Sequence, residues 1–153
     1  MKARRVHSFE PQAHLIDVIK KTLELNQIDN VTLHQAVAGA KLGKAHLKRT
    51  HAENSGMAEF RPGAGDLPVD MLPVDDVVGE EHVTGVKIDV EGMQMPVLRG
   101  MSKTIRRCAP VLWLELRPAK GEIEQPSEWL AKRGCRRQQI SFRDFLFIPE
   151  TPA

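Results

Sequence analysis

Two acidic residues, Asp89 and Glu91, lie at the end of the segment 86–92. Within this segment β-branched residues alternate with charged ones, which is typical of a strand with two different faces. An unpaired buried charge is costly, so packing does not account for acids at this position. At the carboxyl end of a parallel strand they would face the crevice where open α/β sheets bind ligands. The alternative is a solvent-facing edge strand that ends in two acids.

The opening of the chain predicts a strand, a helix and a second strand. Residues 6–9 predict a strand that ends at Glu10, because Pro11 pushes the residue before it into extended geometry. Apolar residues at spacings of three and four predict a helix from Gln12 onward. After a turn, residues 31–37 predict a second strand. A strand, a helix and a strand in succession favour a parallel βαβ unit.

The middle of the chain is less regular. Residues 45–47 suggest a short strand, 54–56 a turn and 61–66 a loop rich in glycine and proline. Residues 72–78 predict either a brief helix or an extended segment.

The last third of the chain again alternates helices with strands. Residues 93–107 have helical spacing with Pro96 in the first turn, and residues 127–133 predict another helix. The apolar run 111–116 fits a central parallel strand covered on both sides, and Glu115 puts a further acid near its carboxyl end. Segments 138–140 and 145–148 predict strands that contribute antiparallel edges. The fold class predicted is therefore α/β with a mostly parallel sheet.

Length, charge and cysteines narrow the class of protein. The 153 residues suffice for one domain with a real core, spanning 1–153, and a formal net charge of +2 implies no nucleic-acid or membrane partner. Cys108 and Cys135 have neither metal-ligand spacing nor the number needed for a disulfide framework. No run approaches the roughly 18–20 apolar residues that span a bilayer. We therefore expect a cytoplasmic protein.

Several motifs, taken in order and approximate spacing, resemble the FkbM-type methyltransferase family. The resemblance covers nearly the whole chain, and the block at 87–92 with the Val-Leu-x-Gly motif behind it is its most specific part. The motifs are Phe9-Glu10-Pro11, Asn26, Asn30-Val31, Ala36-Val37, Asn54-Ser55-Gly56, Lys87-Ile88-Asp89-Val90-Glu91-Gly92, Val97-Leu98-Arg99-Gly100, Pro110-Val111-Leu112, Glu115 and Phe145-Leu146-Phe147-Ile148-Pro149.

The resemblance implies a Rossmann-like methyltransferase that uses S-adenosylmethionine. In that picture Glu10, followed by Pro11, hydrogen-bonds the ribose hydroxyls of the cofactor. An acid at such a strand end is the usual reader of a ribose diol in dinucleotide folds. Ala36 and Val37 would lie beside the adenine, where small apolar side chains suit a flat ring.

The resemblance further implies transfer of the methyl group to oxygen, on a hydroxyl of a sugar or another small molecule. Asp89 and Glu91 would face the methionine end of the cofactor and the acceptor. Methyl transfer depends on placing the acceptor in line, and a carboxylate can accept the hydroxyl proton. Asp89 is the first candidate for this role and Glu91 the second.

The sequence departs from the family at its amino end. The family's first strand and its glycine-rich turn should precede Phe9-Glu10-Pro11, yet only eight residues do and none is glycine. We therefore expect an incomplete, N-terminally truncated form of the fold with an open strand edge. A homo-oligomer would cover that edge.

Two other functions stay open. One is a non-catalytic remnant or interaction module with the methyltransferase fold, which the missing glycine turn favours. The other is an enzyme that holds a divalent metal through Asp89 and Glu91 with His34 or His46. No histidine pair has ligand spacing, so we expect no metal site.

Overall fold

The computed structural model describes residues 3–48, 59–62 and 68–150, and these form ten strands and five α-helices. The strands are β1 (Val6–Phe9), β2 (Val31–His34), β3 (Val37–Ala38), β4 (Gly43–Lys48), β5 (Glu59–Pro62), β6 (Pro68–Leu72), β7 (Gly85–Ile88), β8 (Val111–Glu115), β9 (Cys135–Gln139) and β10 (Asp144–Pro149). The helices are α1 (Ala13–Leu25), α2 (Val74–Val78), α3 (Gln94–Gly100), α4 (Ser102–Cys108) and α5 (Glu124–Ala131). Helix α1 lies between β1 and β2 and helices flank both β7 and β8, as in an α/β fold, whereas β2 to β6 follow one another among the described residues.

The opening βαβ unit is confirmed. Strands β1 and β2 pair in parallel, with Val6 opposite Val31 and Phe9 opposite His34, and α1 connects them. The backbone N–H of Glu10 extends this ladder by donating to the carbonyl of His34 at 3.0 Å. The carboxyl ends of both strands consequently lie at the same edge.

The largest sheet has the strand order β7-β8-β10-β9. Strands β7 and β8 are parallel, whereas β10 runs antiparallel to both β8 and β9. The predicted antiparallel edge at the carboxyl terminus is therefore confirmed. Helices α2 to α5 cover one face, and Leu98, Leu112, Leu114 and Phe147 are 0% exposed in the core between that face and the helices.

A smaller sheet of order β3-β6-β4-β5 lies beside the larger one. Strand β3 is parallel to β6, while β4 pairs antiparallel with both β5 and β6. A second apolar cluster of Val37, Ala45, Met71 and Met93 fills the space beneath it, and Val90 contacts both clusters. The loop after β7 is thereby packed against the small sheet.

Glycines bring α3 close to the exit of β3. A Cβ placed on Gly100 would lie 1.8 Å from the backbone carbonyl oxygen of Gly39, a distance that real side chains do not adopt. A Cβ on Gly39 would in turn meet the side chain of Met71. The Val-Leu-x-Gly motif thus ends in glycine because the helix end and the β3 exit approach each other this closely.

The prediction that residues 111–116 form a strand covered on both sides is wrong. Strand β8 has Leu112 and Leu114 fully buried, but Val111 and Trp113 on the opposite face are each 41% exposed. An apolar run does not distinguish one covered face from two, because the outward residues here are themselves apolar.

The prediction of one helix over 93–107 is also wrong. The chain forms α3 and α4 with a break at Met101, whose φ is −120° and ψ 19°. The carboxylate of Asp75, from α2, accepts hydrogen bonds from the backbone N–H groups of Lys103 and Thr104, at 3.0 and 2.8 Å. This cap begins a new helix, so the break depends on a residue distant in sequence.

Smaller corrections concern element boundaries. The predicted strand 31–37 is two strands, β2 and β3, which belong to different sheets. Residues 61 and 62 belong to β5 and not to a loop, and α5 includes Pro126 instead of starting after it. Segment 72–78 contains both alternatives, the end of β6 and helix α2. The predicted turn at 54–56 and the remainder of the 61–66 loop lie outside the described residues.

Within the described residues, no helix has the length and apolar character needed to cross a membrane.

Candidate functional site

Glu10 lies directly after β1 at the carboxyl edge of the parallel strands. Its side-chain Oε1 accepts a hydrogen bond from the backbone N–H of Gln12 at 2.8 Å, and the side chain is half-buried. Pro11 between them fixes the turn into α1. Within the described residues, no hydrogen bond to Oε2 is present.

Ala36 and Val37 follow β2 at the same edge. The backbone N–H of Ala36 donates to the carbonyl of His34 at 2.9 Å, which places Ala36 beside the strand end that carries Glu10. Ala36 and Val37 are only 2% and 6% exposed. The side chain of Val37 packs in the cluster beneath the small sheet. The structure thus brings the backbones of Glu10 and Ala36 to the same carbonyl of His34, while Val37 belongs to the apolar cluster of the small sheet.

Asp89 follows β7 and stands next to Glu115 at the end of β8. Its Oδ2 accepts a hydrogen bond from Lys87 Nζ at 3.0 Å, and its side chain is 49% exposed. Burial raises the pKa of Glu115, and the charge of Asp89 and a hydrogen bond with it add to that rise. The environment of Glu115 therefore favours its protonated form.

Asp144, at the start of β10, is a third acidic residue near Asp89 and Glu115. Trp113 Nε1 donates to its Oδ1 at 2.7 Å, and the hydroxyl of Ser141 donates to Oδ2 at 2.5 Å. The bond from Ser141, with that from Trp113, lowers the pKa of Asp144. Asp144 therefore stays ionised and contributes to the raised pKa of Glu115.

Glu91 is engaged differently from Asp89. It forms an ion pair with Arg117, which also pairs with Glu122. The side chains of Arg117 and Glu122 are 14% and 13% exposed. Burial acts to raise the pKa of Glu122, but the hydrogen bonds from Arg117 outweigh it and lower that pKa. Glu91 belongs to an ionised, largely buried network that fixes the loop after β7.

Two residues of this network were missed in the sequence. Gln94 is 4% exposed, and its Nε2 donates to the carbonyl of Glu115 at 3.3 Å and to Glu122 Oε2 at 3.2 Å. Arg117 follows β8 as a lone basic residue. In the sequence, Gln94 closely follows Asp89 and Glu91, and Arg117 follows the end of β8. Neither spacing, however, reveals that Gln94 and Arg117 join one network.

The histidines considered as metal ligands lie apart. His34 Nε2 is 3.0 Å from His7 Nδ1, and its ring stacks on Phe9. His46 belongs to β4 of the smaller sheet. In residues 3–48, 59–62 and 68–150, no cluster of three or more histidine, cysteine or acidic side chains is arranged to hold a metal ion.

Comparison with known families shows which family the chain belongs to. Residues 1–146 match the sequence model of the Methyltransferase FkbM domain. The chain belongs to the FkbM methyltransferase family. The resemblance read from the motifs at 87–92 and 97–100 is therefore confirmed.

Two individual methyltransferases are similar to this chain. Methyltransferase 1 of Beauveria bassiana (strain ARSEF 2860) is 24% identical over 151 residues, which cover 83% of this chain and 61% of that protein. The crystal structure of Methyltransferase FkbM from Methylobacillus flagellatus KT superposes with a TM-score of 0.67 at 17% identity, covering 94% of this chain and 36% of the other. The fold is thus that of an FkbM methyltransferase, and the chain spans less than two thirds of either relative.

Proposed function

We propose that this chain forms the ribose-binding and acceptor-binding part of a methyltransferase that uses S-adenosylmethionine and methylates a hydroxyl of a sugar or another small molecule. The observation that carries the proposal is the family match over residues 1–146. It is supported by the acids that follow the parallel strands β1, β7 and β8, because α/β sheets bind ligands at the carboxyl ends of such strands.

The described residues fit the ribose part of the cofactor. A ribose diol offers two hydroxyl donors, and Glu10 has a carboxylate oxygen that accepts nothing from the described part of the chain. Oε1 is held by the N–H of Gln12, which fixes the orientation of the carboxylate. Ala36 is small and lies at the neighbouring strand end, and a small apolar side chain suits contact with a flat ring. Glu10 and Pro11 would hold the ribose, with Ala36 and Val37 behind the adenine.

Asp89 and Glu115 are the groups suited to the acceptor. The bound cofactor would supply a methyl group carried on a positively charged sulfur. Asp89 is half-exposed and would accept the proton of the acceptor hydroxyl, and Lys87 Nζ lies 3.0 Å from its Oδ2. Glu115 adjoins it, and burial raises the pKa of its carboxyl. Glu91, tied to Arg117, would keep the loop in place.

Titration calorimetry with S-adenosylmethionine and S-adenosylhomocysteine tests the cofactor proposal. Glu10→Gln keeps an oxygen for the N–H of Gln12 but loses the charge and one acceptor, so we expect binding to weaken at least about tenfold. Glu24→Gln, on the exposed side of α1, is the matched control and should bind like the unmodified chain. Equal binding by both variants would remove Glu10 from the site, and no binding by the unmodified chain at millimolar ligand would show that it does not bind cofactor alone.

A radiolabelled methyl donor offered with a panel of sugar and polyketide hydroxyl compounds tests the acceptor proposal. Asp89→Asn should lower kcat by about 100-fold or more while cofactor affinity is retained, because it removes the proton acceptor. Asp17→Asn, on exposed α1, is the matched control. A fully active Asp89→Asn protein would exclude Asp89 as the base.

A further inference from the structure

Strand β9 is an outer strand of the β7-β8-β10-β9 sheet. It pairs with β10 on one side, and none of the other described strands pairs with it. All its residues after Cys135 are exposed. We call the side of β9 that points away from β10 the β9 edge. An edge of this kind presents main-chain N–H and C=O groups that can pair with a further strand.

The hydrogen bonds at the two ends of β9 show which of its backbone groups point toward β10. The N–H of Ile140 donates to the carbonyl of Asp144, and the N–H of Glu150 donates to the carbonyl of Gly134, each at 2.9 Å. Both bonds continue the register of β9 with β10. Such bonded positions recur at every second residue of an antiparallel pair. Every second residue of the segment 134–140 therefore bonds to β10 through its backbone.

The residues between these positions direct their backbone groups to the opposite side. The N–H and C=O groups of Arg137 and Gln139 consequently lie on the β9 edge. Among the described residues, neither Arg137 nor Gln139 has a backbone–backbone hydrogen bond to a segment outside the sheet. The β9 edge thus offers two donors and two acceptors to an added strand.

The side chains along this edge are basic. Arg136 and Arg137 are adjacent and exposed, so they lie on opposite faces of the sheet. The guanidinium of Arg137 lies 5.7 Å from the ring centre of Phe145, and its Nη1 donates to Ser127 Oγ at 3.0 Å. In the part of the chain that the structure describes, no acidic side chain pairs with either arginine. Both positive charges are therefore available to a ligand.

We propose that the β9 edge binds an extended acidic segment of a partner protein, which adds antiparallel to β9 as a further strand. Main-chain hydrogen bonds to Arg137 and Gln139 supply affinity, as in strand addition at other open sheet edges. Opposite charges directly across an antiparallel pair attract each other. Two consecutive acids in the segment meet Arg137 on one face of the sheet and Arg136 on the other.

Two other occupants fit this edge less well. If two β9 strands pair about Arg136 or Arg137, that arginine lies opposite its own copy, and like charges in this position repel. A nucleic acid matches the charge of the arginines. Its phosphate oxygens only accept hydrogen bonds, however, and leave the carbonyls of Arg137 and Gln139 without a donor. An acidic polypeptide satisfies both the main chain and the charges.

Hydrogen–deuterium exchange resolved by residue tests the proposal, because two kinds of amide alternate along β9. In the free chain the amides of Arg136 and Gln138 should exchange slowly, since they bond to β10, and those of Arg137 and Gln139 rapidly. The probe is a peptide of about seven residues, with two consecutive glutamates between threonines and valines. Saturating peptide should slow exchange at Arg137 and Gln139 by at least about tenfold.

Modified peptides separate strand addition from charge attraction. In the proposed register the first glutamate lies opposite Arg137 and donates its N–H to β9, while the N–H of the second glutamate points away. Methylation of the first nitrogen should weaken binding at least about tenfold, and methylation of the second should change it less than about threefold. Replacing both glutamates by glutamines keeps the main chain and should weaken binding at least about fivefold.

A charge reversal on the protein tests the register. Arg136→Glu should weaken binding of the diglutamate peptide at least about tenfold, and a peptide with lysine in place of the second glutamate should restore binding. Arg106→Glu, on the exposed side of α4, is the matched control and should bind the diglutamate peptide like the unmodified chain. Circular dichroism checks that both variants fold.

Four results would overturn the proposal. Protection of Arg137 and Gln139 in the free chain at all concentrations would mean that the chain covers the β9 edge itself. Protection that grows with protein concentration would assign the edge to a second copy. Tighter binding of a short single-stranded oligonucleotide than of the diglutamate peptide would assign the arginines to a nucleic acid. No protection at millimolar peptide would mean that the edge does not accept a strand.

These measurements are independent of the proposed methyltransferase function. None of them requires the cofactor, and the calorimetry with S-adenosylmethionine measures cofactor binding separately. Failure of either proposal therefore leaves the other unaffected.

Discussion

The large sheet β7-β8-β10-β9 and the two-stranded sheet β1-β2 differ in how completely their residues are buried. In the large sheet Leu112, Leu114 and Phe147 are 0% exposed, and four helices supply the facing side chains. No residue of β1 or β2 is fully buried, and α1 buries only Ile16. A two-stranded sheet by itself is marginal in water. The β1-β2 unit, which carries Glu10, therefore depends on its neighbours far more than the unit that carries Asp89.

The substitution expected to do most damage acts on the well-buried part. Gly100→Ala would place a methyl group 1.8 Å from the carbonyl oxygen of Gly39, and both partners are backbone. We expect the free energy of unfolding to fall by about 3 kcal/mol or more, because α3 must move away from β3. Urea denaturation measures the change.

Gly43→Ala is the control for this effect. Its Cβ would meet only the flexible end of Met71 at 3.7 Å, an ordinary contact. We expect a change within about 1 kcal/mol of the unmodified chain. If Gly100→Ala were equally mild, the close approach of α3 to the β3 exit would not be present in solution.

A pair of core truncations compares the two units directly. Leu112→Ala removes a fully buried side chain of the large core and should cost about 3–5 kcal/mol, whereas Ile16→Ala should cost only about 2 kcal/mol because Ile16 belongs to neither apolar cluster of the described residues. Urea denaturation of both proteins gives the two costs. Equal costs would show that α1 is packed as tightly as the large sheet, contrary to the comparison.

The smallest expected effect is a dependence on pH that arises in the β1-β2 unit. Burial, with the nearby His7 adding to it, lowers the pKa of His34. The folded chain then binds fewer protons at His34 than the unfolded chain, so this contribution to stability is complete above a pKa of about 6.5 and is lost as the pH falls below it. The melting temperature should therefore decrease between about pH 7.5 and about pH 5.5.

Two variants distinguish the titration of His34 from that of the other ionisable groups. His34→Gln should flatten the decrease, while His14→Gln, on the exposed side of α1, should leave it unchanged. Glu81 and Arg5 also face the histidine pair, but hydrogen bonds from Arg5 and His7 lower the pKa of Glu81, which moves its titration to more acidic conditions. An unchanged decrease in His34→Gln would assign it to another group.

Those features that depend on local pattern were predictable from the sequence. Alternation identified β7, Pro11 marked the end of β1, and the acids after the parallel strands indicated where the candidate site lies. The Val-Leu-x-Gly motif and the block before it were enough to identify the family. Local periodicity carries this information because the residues that define each element are neighbours in the chain.

The remaining features arise from contacts between distant residues. The break at Met101 requires Asp75, and the engagement of Glu91 requires Arg117, which lies beyond a helix pair and a strand. No local pattern contains those partners. The open face of β8 was missed for a related reason: Val111 and Trp113 are apolar whether or not something covers them.

The exposed face of β8 also gives the molecule an optical reporter. The chain has two tryptophans, and Trp113 lies on this face with its indole N–H bonded to Asp144 and Lys87 Nζ 5.3 Å from the ring centre. Trp129 lies on α5 beneath the guanidinium of Arg133. In a Trp129→Phe background the fluorescence of Trp113 would be the only indole emission. Its emission wavelength and its quenching by iodide would then report whether that face is exposed to solvent or covered.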